Sequence, residues 1–473
     1  MSLNICFLLG SPDISGGTNV IFNHAAYAMR KGCRVTIVTE FEVTPERIAW
    51  HAEAKHLRFA NYGDVANIEF DIVVATWWPT TYWLHRVAAR HYAYFVQSIE
   101  SRFPSSREEA LRDYAENTYL FDVHLITEVD WICDYLEHHY GRKAHLAYNG
   151  IDKSIYCPDG PAIAPRDPDR PRVLIEGSMG VPLKNTERTI ALCNYAGADD
   201  IWLMTPTPVE HVDGVDRLFS KITQAQTAEV YRSCDILVKL SFVEGMFGPP
   251  LEMLHCGGTA VCYKVTGHDL YLTHEHNSLL ADIDDEIGVV RGIQRLLADR
   301  SLRERLSRNG LETAANWPDW TSSSAKFLGV LKTIAGSGER RATRDQLRGM
   351  SQQLQIAFET ADHFQRKLIE LGVEPKAMNP SPRYPFPAGR TIAELEADIR
   401  NLKAQVEQLR TEGGSSRTLE LEAQIKQLQN AGAAQERVVL DRWDIMQEMG
   451  RTIFERDQRI AELEARLSQL GGD

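Results

Sequence analysis

Short apolar runs alternate with helical patterns over the first 330 or so residues, and this alternation predicts an α/β protein with parallel sheets. The runs "NICFLLG", "CRVTIVT" and "FDIVVAT" are continuously apolar, as strands buried on both faces of a sheet are. Residues 17–31, "GTNVIFNHAAYAMRK", carry apolar side chains at the spacing of an amphipathic helix. The pattern therefore predicts repeated strand–helix units.

A break rich in proline and charge at residues 157–171, "CPDGPAIAPRDPDRP", predicts a linker between two domains built from such units. After it, "RVLIEGS" starts a second series of strands and helices, which ends in a terminal helix within "NWPDWTSSSAKFLGVLKTIA". We therefore predict an N-terminal domain over residues 1–160 and a second α/β domain over residues 161–335.

The rest of the chain has a different character. Residues 336–390 combine a charged helical pattern with a proline-rich stretch and predict a linker. Residues 391–473 predict an all-α coiled coil, because a single helix would leave its apolar seam exposed to water. We expect this region to join copies of the chain into a homo-oligomer. The first seam residues, at alternating spacings of three and four, are Ile392, Leu395, Ile399, Leu402, Val406 and Leu409.

Composition narrows the class of protein. Lys plus Arg total 52 and Asp plus Glu total 65, and the resulting net charge of −13 disfavours nucleic-acid partners. Eight scattered cysteines without a CxxC pair indicate neither a zinc site nor a disulfide framework, so we expect a reducing cytoplasm. The start "MSLNICFLLGSPD" predicts a strand and not a signal peptide. No apolar run approaches a membrane span, which leaves open only a peripheral contact at the inner face of the cell membrane.

Candidate chemistry is concentrated in residues 241–258, "SFVEGMFGPPLEMLHCGG". This stretch follows the predicted buried strand "CDILVKLS", so it lies where doubly wound sheets bind ligands. Gly245 and Gly248 allow a ligand close to the backbone, and the helix that follows directs its N-terminus towards an anion such as a diphosphate. Glu244 and Glu252 suit the hydroxyls of a sugar or a ribose. Taken alone, the two glutamates favour a solvated surface pair over a binding site.

The neighbouring motifs favour the first interpretation. "EGMFGPPLEMLHCGGTAV" resembles the donor-binding signature of retaining GT-B glycosyltransferases of family 4, which usually reads E-G-F-G-x-x-x-x-E-A-M-A-C-G-x-P-V. The resemblance extends to "GGTNVIFNHAAYAMRKGCRVTIVT", "NGIDKSIYCPDG", "VPLKN" and "VYRSCDILVKLS", in the family's order over residues 1 to about 330. It implies a GT-B fold, which consists of two facing Rossmann-like domains. "YFVQSIE" is similar to a branch that acts on bacterial surface polysaccharides.

The resemblance also implies roles for individual residues. Lys184 would neutralise the departing diphosphate, Glu244 would bind the hydroxyls of the donor sugar, and Glu252 would bind the ribose. Gln97 is an acceptor-side candidate because of its position just after the strand "YAYFV", and a structural hydrogen bond is an equally good interpretation. The backbone positions that would approach the sugar and its phosphates are Gly16, Gly17, Gly245, Phe247 and Gly248.

The implied activity is transfer of a sugar from a nucleoside diphosphate to a hydroxyl of a glycan or lipid-linked oligosaccharide, with retention at the anomeric carbon. The resemblance implies no metal and no cofactor besides the nucleotide sugar, and the isolated His274 and His276 do not complete a ligand set. It places the protein in bacterial surface polysaccharide synthesis, where a membrane or polysaccharide-assembly partner is a further expectation.

The sequence departs from the family pattern at two places, and the first leaves alternatives open. The family usually has an arginine four or five residues before the lysine, whereas Met179 and Gly180 stand here. The glycine turn also contains an extra residue, Met246. A missing cation on the leaving group lowers transition-state stabilisation. The chain could therefore be a catalytically weakened GT-B scaffold organised by its coiled coil, or a GT-B epimerase or phosphorylase.

Overall fold

The computed structural model describes residues 2–104, 108–339 and 341–370. The predicted coiled coil at 391–473 lies outside these residues, as do residues 371–390 of the predicted linker, and both stay predictions. No helix in the described part of the chain is long and apolar enough to cross a membrane.

The first domain is built on a sheet of seven parallel strands in the order β3-β2-β1-β4-β5-β6-β7. The strands are β1 (Asn4–Leu8), β2 (Arg34–Thr39), β3 (Arg58–Asn61), β4 (Glu69–Ala75), β5 (Ala88–Val96), β6 (His124–Thr127) and β7 (Ala144–Leu146). The helices of this domain are α1 (Gly16–Arg30), α2 (Pro45–Ile48), α3 (Trp78–Tyr82), α4 (Glu109–Glu116) and α5 (Asp130–Tyr140).

The second domain repeats the same architecture with six parallel strands in the order β10-β9-β8-β11-β12-β13. The strands are β8 (Val173–Glu176), β9 (Ile201–Thr205), β10 (Arg217–Ser220), β11 (Ile236–Lys239), β12 (Thr259–Tyr263) and β13 (Leu279–Ala281). The helices are α6 (Thr186–Tyr195), α7 (Gln224–Ser233), α8 (Gly248–His255), α9 (Glu286–Ala298) and α10 (Arg300–Asn316).

Counted within each domain, both sheets contain the strand order 3-2-1-4-5-6 of doubly wound dinucleotide-binding proteins. Every residue of β11 is buried, because apolar clusters cover both faces of its sheet. The prediction of two Rossmann-like α/β domains is confirmed. In this topology ligands bind at the carboxyl ends of the strands, next to the point where the strand order reverses. In the second domain that point lies between β8 and β11.

The terminal helix α11 (Trp320–Gly336) returns to the first domain, although the boundary predicted at residue 335 counts it with the second. Phe327, Leu328 and Leu331 lie in the same buried cluster as residues of β1 and α1. The ring of His24 stacks on Phe327 with centroids 4.1 Å apart. The amphipathic pattern predicts a helix with one apolar face, and only the tertiary structure shows which domain that face covers.

A further helix, α12 (Arg344–Glu370), occupies the start of the predicted linker and packs on the first domain. Leu347 is buried in that domain's core, and the ring of Phe358 stacks on Tyr114 with centroids 4.5 Å apart. The Arg344 guanidinium donates to the backbone carbonyl of His85 at 2.7 Å. This part of the linker is therefore an integral helix of the first domain.

Replacing Leu347 with alanine should destabilise the first domain by about 2–4 kcal/mol, because it removes a buried side chain and leaves a cavity. The midpoint of urea unfolding measures this change. Ile356→Ala on the exposed face of the same helix is the matched control and should change stability by about 0.5 kcal/mol or less. Equal effects of the two substitutions would show that α12 does not pack on the domain.

Candidate functional site

The turn Glu244–Phe247 connects the end of β11 to the start of α8, so it lies at the predicted crevice of the second sheet. Pro249 and Pro250 occupy the first turn of α8, where a missing N–H is tolerated. The N–H of Gly248 donates to the carbonyl of Met246 at 3.0 Å. The start of α8 therefore has fewer free N–H groups for an anion than the sequence suggests. Side chains must supply more of the positive charge.

Glu244 is the centre of an ion-pair network in this turn. The ammonium of Lys184, from the 3-10 turn Pro182–Lys184, lies 2.8 Å from its Oε1, and the ammonium of Lys239 lies 3.8 Å from the same oxygen. Burial alone would raise the pKa of Glu244, but the two lysines outweigh burial and hold the pKa below its ordinary value. Glu244 is therefore a carboxylate at neutral pH.

The structure brings Lys184 and Glu244, two predicted site residues, into contact, whereas Lys239 was not among the predicted site residues. Its ammonium also pairs with the Glu176 carboxylate at the end of β8. The available signal was a lysine inside the otherwise apolar strand "CDILVKLS", a position that is costly unless the charge is paired.

Glu252 lies in α8, half-buried and close to Tyr156 and Tyr231. Burial raises the pKa of Glu252 to about 7, Glu176 adds to the increase, and the nearby tyrosine hydroxyls offset part of it. Near neutral pH this carboxyl group can accept or donate a hydrogen bond, and either suits a ligand hydroxyl.

Met179 and Gly180 bring no positive charge to this site. The backbone N–H of Met179 donates to Thr207 Oγ1 at 3.0 Å, and its side chain packs against the core of the second domain. Gly180 has φ +72°, and its N–H donates to the Glu187 carboxylate at 2.7 Å. The segment is an ordered turn, and the second cation near Glu244 comes from β11.

On the first-domain side, Gly17 and Gln97 lie together. A Cβ at Gly17 would lie 3.2 Å from Gln97 Nε2, whereas one at Gly16 would meet open space. The Gln97 amide donates to the carbonyl of Thr76 at 3.0 Å. The backbone carbonyl oxygen of Gln97 lies so near Gly245 that a Cβ at position 245 would be 1.9 Å from that oxygen. Gln97 thus contacts glycines of both domains, and only glycine fits at position 245.

The extra residue Met246 makes a hydrogen bond between the domains. Its N–H donates to Glu128 Oε1 at 3.2 Å, and the indole N–H of Trp131 donates to the carbonyl of Gly245 at 3.1 Å. Glu128 directly follows β6, so it belongs to the carboxyl edge of the first sheet. The departure in the glycine turn therefore has a structural consequence, which is a direct contact between the turn and the first domain.

Two buried carboxyl groups on that edge were not predicted. Burial raises the pKa of Glu128 to about 8 and that of Glu100 to about 8. Glu128 Oε2 accepts from the Asn149 amide at 2.7 Å, and Glu100 accepts from the hydroxyl of Tyr94 at 3.0 Å. Both residues follow strands in the sequence, but only tertiary structure reveals their burial.

Within the described residues, no group of three or more histidine, cysteine or acidic side chains is arranged to hold a metal ion. In the "THEHN" loop, His274 Nδ1 accepts from the backbone N–H of Leu280 at 2.9 Å. The absence of a cofactor stays a prediction from the resemblance.

Comparison with known proteins adds to this geometry. Residues 217–313, which include the turn and α8, match the family model for glycosyl transferases group 1. The chain is 26% identical over 291 residues to the O-antigen biosynthesis protein RfbC of Myxococcus xanthus, which covers 58% of this chain and 21% of that protein. It is 39% identical over 57 residues to the lipopolysaccharide core biosynthesis glycosyltransferase LpsD of Rhizobium meliloti, covering 12% of this chain and 17% of that protein. The chain thus spans about a fifth of the length of these relatives.

Two solved structures have the same architecture. Sucrose-phosphate synthase from Thermosynechococcus elongatus matches with a TM-score of 0.58 at 15% identity, over 70% of this chain and 99% of that one. Anabaena HepE in complex with UDP and glucose matches with a TM-score of 0.57 at 15% identity, over 70% of this chain and 100% of that one. The fold of the described domains is therefore GT-B, as predicted.

Replacing Glu128 with glutamine should remove a pH-dependent loss of stability. In the folded protein the pKa of Glu128 is raised to about 8, whereas in the unfolded state Glu128 loses its proton at lower pH. Rising pH therefore favours unfolding. The free energy of unfolding of the wild type should fall relative to the variant by about 2 kcal/mol between pH 5 and pH 7. Denaturant titrations at several pH values measure this difference.

The exposed Glu312 on α10 provides the matched control, and Glu312→Gln should follow the wild type at every pH. A constant difference between the wild type and Glu128→Gln across this range would contradict the buried, protonated state of Glu128.

Proposed function

We propose that the protein is a retaining glycosyltransferase that moves a sugar from a nucleoside diphosphate to a hydroxyl of a glycan or lipid-linked oligosaccharide, in bacterial surface polysaccharide synthesis. The observation that carries this proposal is the Lys184–Glu244 ion pair near the carboxyl end of β11 in a GT-B fold, with Glu252 in the helix α8 that follows. These groups supply one cation for a diphosphate and two carboxyl groups for hydroxyls.

Each side chain has a distinct task in the proposed reaction. Glu244 accepts hydrogen bonds from hydroxyls of the donor sugar, and Glu252 binds the ribose. The Lys184 side chain is 31% exposed, so its ammonium can leave Glu244 and meet the diphosphate. Its charge then stabilises the anion that develops as the leaving group departs. Gln97, between the glycines of the two domains, is the proposed acceptor-side residue.

The bond from the anomeric carbon to the diphosphate oxygen breaks, and the acceptor oxygen bonds to the same face of the sugar. The acceptor proton passes to the departing phosphate oxygen, so no metal and no protein base are required. Retention and the route of the proton rest on the family resemblance.

The relatives support the setting of this activity. The similar proteins are named for O-antigen and lipopolysaccharide core biosynthesis, and HepE structures contain UDP with glucose and UDP-glucose. We propose a cytoplasmic protein that contacts the inner face of the membrane peripherally and a homo-oligomer formed through residues 391–473. UDP-glucose is the first donor to test.

The scaffold alternative is favoured by Met179 and Gly180, which leave the usual arginine position without a charge. A scaffold would bind a nucleotide sugar without turning it over on any acceptor.

We expect a screen of nucleotide sugars, starting with UDP-glucose, to find turnover that depends on Lys184 and Glu244. Replacing Lys184 with alanine should lower kcat/KM by about 100-fold or more, because the leaving group loses its counter-charge. Glu244→Ala should lower both kcat and donor binding. Lys332→Ala, an exposed lysine on α11, is the matched control and should leave turnover unchanged. NMR of the first-formed product should show the anomeric configuration of the donor.

Unchanged turnover in both site variants would overturn the assignment of the site. An inverted product would overturn the retaining mechanism, and donor binding without turnover on lipid-linked or glycan acceptors would favour the scaffold.

A further inference from the structure

Lys239 is the last residue of β11, and 3% of its side chain is exposed. An ammonium group in such a place is costly unless its charge is paired. Its partners are Glu176, on the neighbouring strand β8, and Glu244, which lies 3.8 Å away in the turn Glu244–Phe247. Burial alone would lower the pKa of Lys239, but these two carboxylates outweigh burial and raise it. Lys239 is therefore a permanent positive charge inside the second domain.

The network contains the ammonium groups of Lys184 and Lys239 and the carboxyl groups of Glu176 and Glu244. Of the two cations, Lys184 is far more exposed, at 31% against 3% for Lys239. Lys184 can therefore turn towards an incoming anion, while Lys239 stays in place behind Glu244.

We propose that Lys239 is a positioning residue that keeps Glu244 ionised and in place when Lys184 leaves it for the diphosphate. Lys239 thus frees Lys184 for the diphosphate, but it is buried behind Glu244 and does not itself replace the charge that Met179 and Gly180 leave missing on the leaving group. The role at Glu244 stands on the geometry of this chain, and the movement of Lys184 to a diphosphate rests on the proposed function.

Without Lys239, Glu244 would have one counter-ion instead of two. A buried carboxylate with Lys184 as its one counter-ion would either retain Lys184, in competition with the diphosphate, or take up a proton. In the first case the leaving group loses its cation. In the second case Glu244 becomes a poorer acceptor for sugar hydroxyls. A second, fixed cation avoids both outcomes.

Other titratable groups near Glu244 do not replace this charge. Cys262, on β12, has its pKa raised to about 12 by burial, and burial raises the pKa of Tyr271 well above its ordinary value. Both groups are neutral across the pH range in which a glutamate titrates. Glu176 faces Lys239 and adds negative charge. In the described part of the chain, the cations that face Glu244 are thus Lys184 and Lys239.

The test follows the carboxyl carbon of Glu244 by NMR in protein labelled with 13C at the glutamate side-chain carboxyl, with Glu244→Gln to identify the resonance. Glu176→Gln retains Lys239, and Glu176→Gln with Lys239→Met removes it without leaving an unpaired buried carboxylate. The two proteins differ only at Lys239. The titration midpoint of Glu244 should be about one pH unit or more higher in the double variant.

A conservative variant separates charge from shape. Lys239→Arg retains the positive charge and should keep the midpoint of Glu244 close to that of the wild type. Lys264→Met, which removes an exposed lysine paired with Asp282, should also leave it unchanged. An equal midpoint in Glu176→Gln and the double variant would overturn the proposal, as would a higher midpoint in Lys239→Arg.

Calorimetry with UDP-glucose separates this inference from the proposed function. Weaker binding in the double variant than in Glu176→Gln, with a difference that grows as pH falls, is the expected result. If the wild type binds neither UDP-glucose nor any other nucleotide sugar while the midpoint of Glu244 moves as predicted, the proposed function fails and the role of Lys239 stands. Equal binding in the two variants at every pH would overturn the role in donor binding.

Discussion

The ionised carboxylate of Glu244 is the constraint around which the candidate site is arranged. It is nearly buried, so it stays charged only because Lys184 and Lys239 lie beside it. The parallel strands β8 and β11 end side by side, and this brings Glu176 and Lys239 together behind the turn. The short 3-10 turn before α6 places the Lys184 ammonium next to Glu244. The charge state of Glu244 thus depends on the sheet topology and on the geometry of the turn that carries Lys184.

The first domain contributes to the same turn. Gly245 is pressed against the carbonyl of Gln97, and Glu128 accepts the N–H of Met246. A side chain at position 245 would push the two domains apart, which is a stronger reason for glycine there than freedom of the backbone. These contacts join the turn Glu244–Phe247 to the carboxyl edge of the first sheet. The position of the first domain is in turn supported by α11, whose apolar face lies in that domain's core.

Much of the fold could be predicted because continuous apolar runs and amphipathic helices report burial directly. The motif resemblance assigned Lys184 and Glu244, 60 residues apart, to one site, but it did not predict their ion pair. Lys239 looked like one lysine in an apolar strand, since its partner Glu176 lies 63 residues away. Glu128 and Met246 are 118 residues apart and in different domains, so nothing local connects them. Contacts of this kind depend on how the domains pack, and the pattern of apolar and polar residues does not predict domain packing.

We propose that Lys184, Glu244 and Glu252 form a donor site in which Lys239 holds Glu244 ionised. The decisive measurement is a crystal structure of the protein with a bound nucleotide sugar, UDP-glucose first. We expect the ribose on Glu252, sugar hydroxyls on Glu244, the Lys184 ammonium on the diphosphate and Lys239 still beside Glu244. A nucleotide bound away from β11, or a Lys184 that remains on Glu244 while the diphosphate is held by other groups, would contradict this proposal.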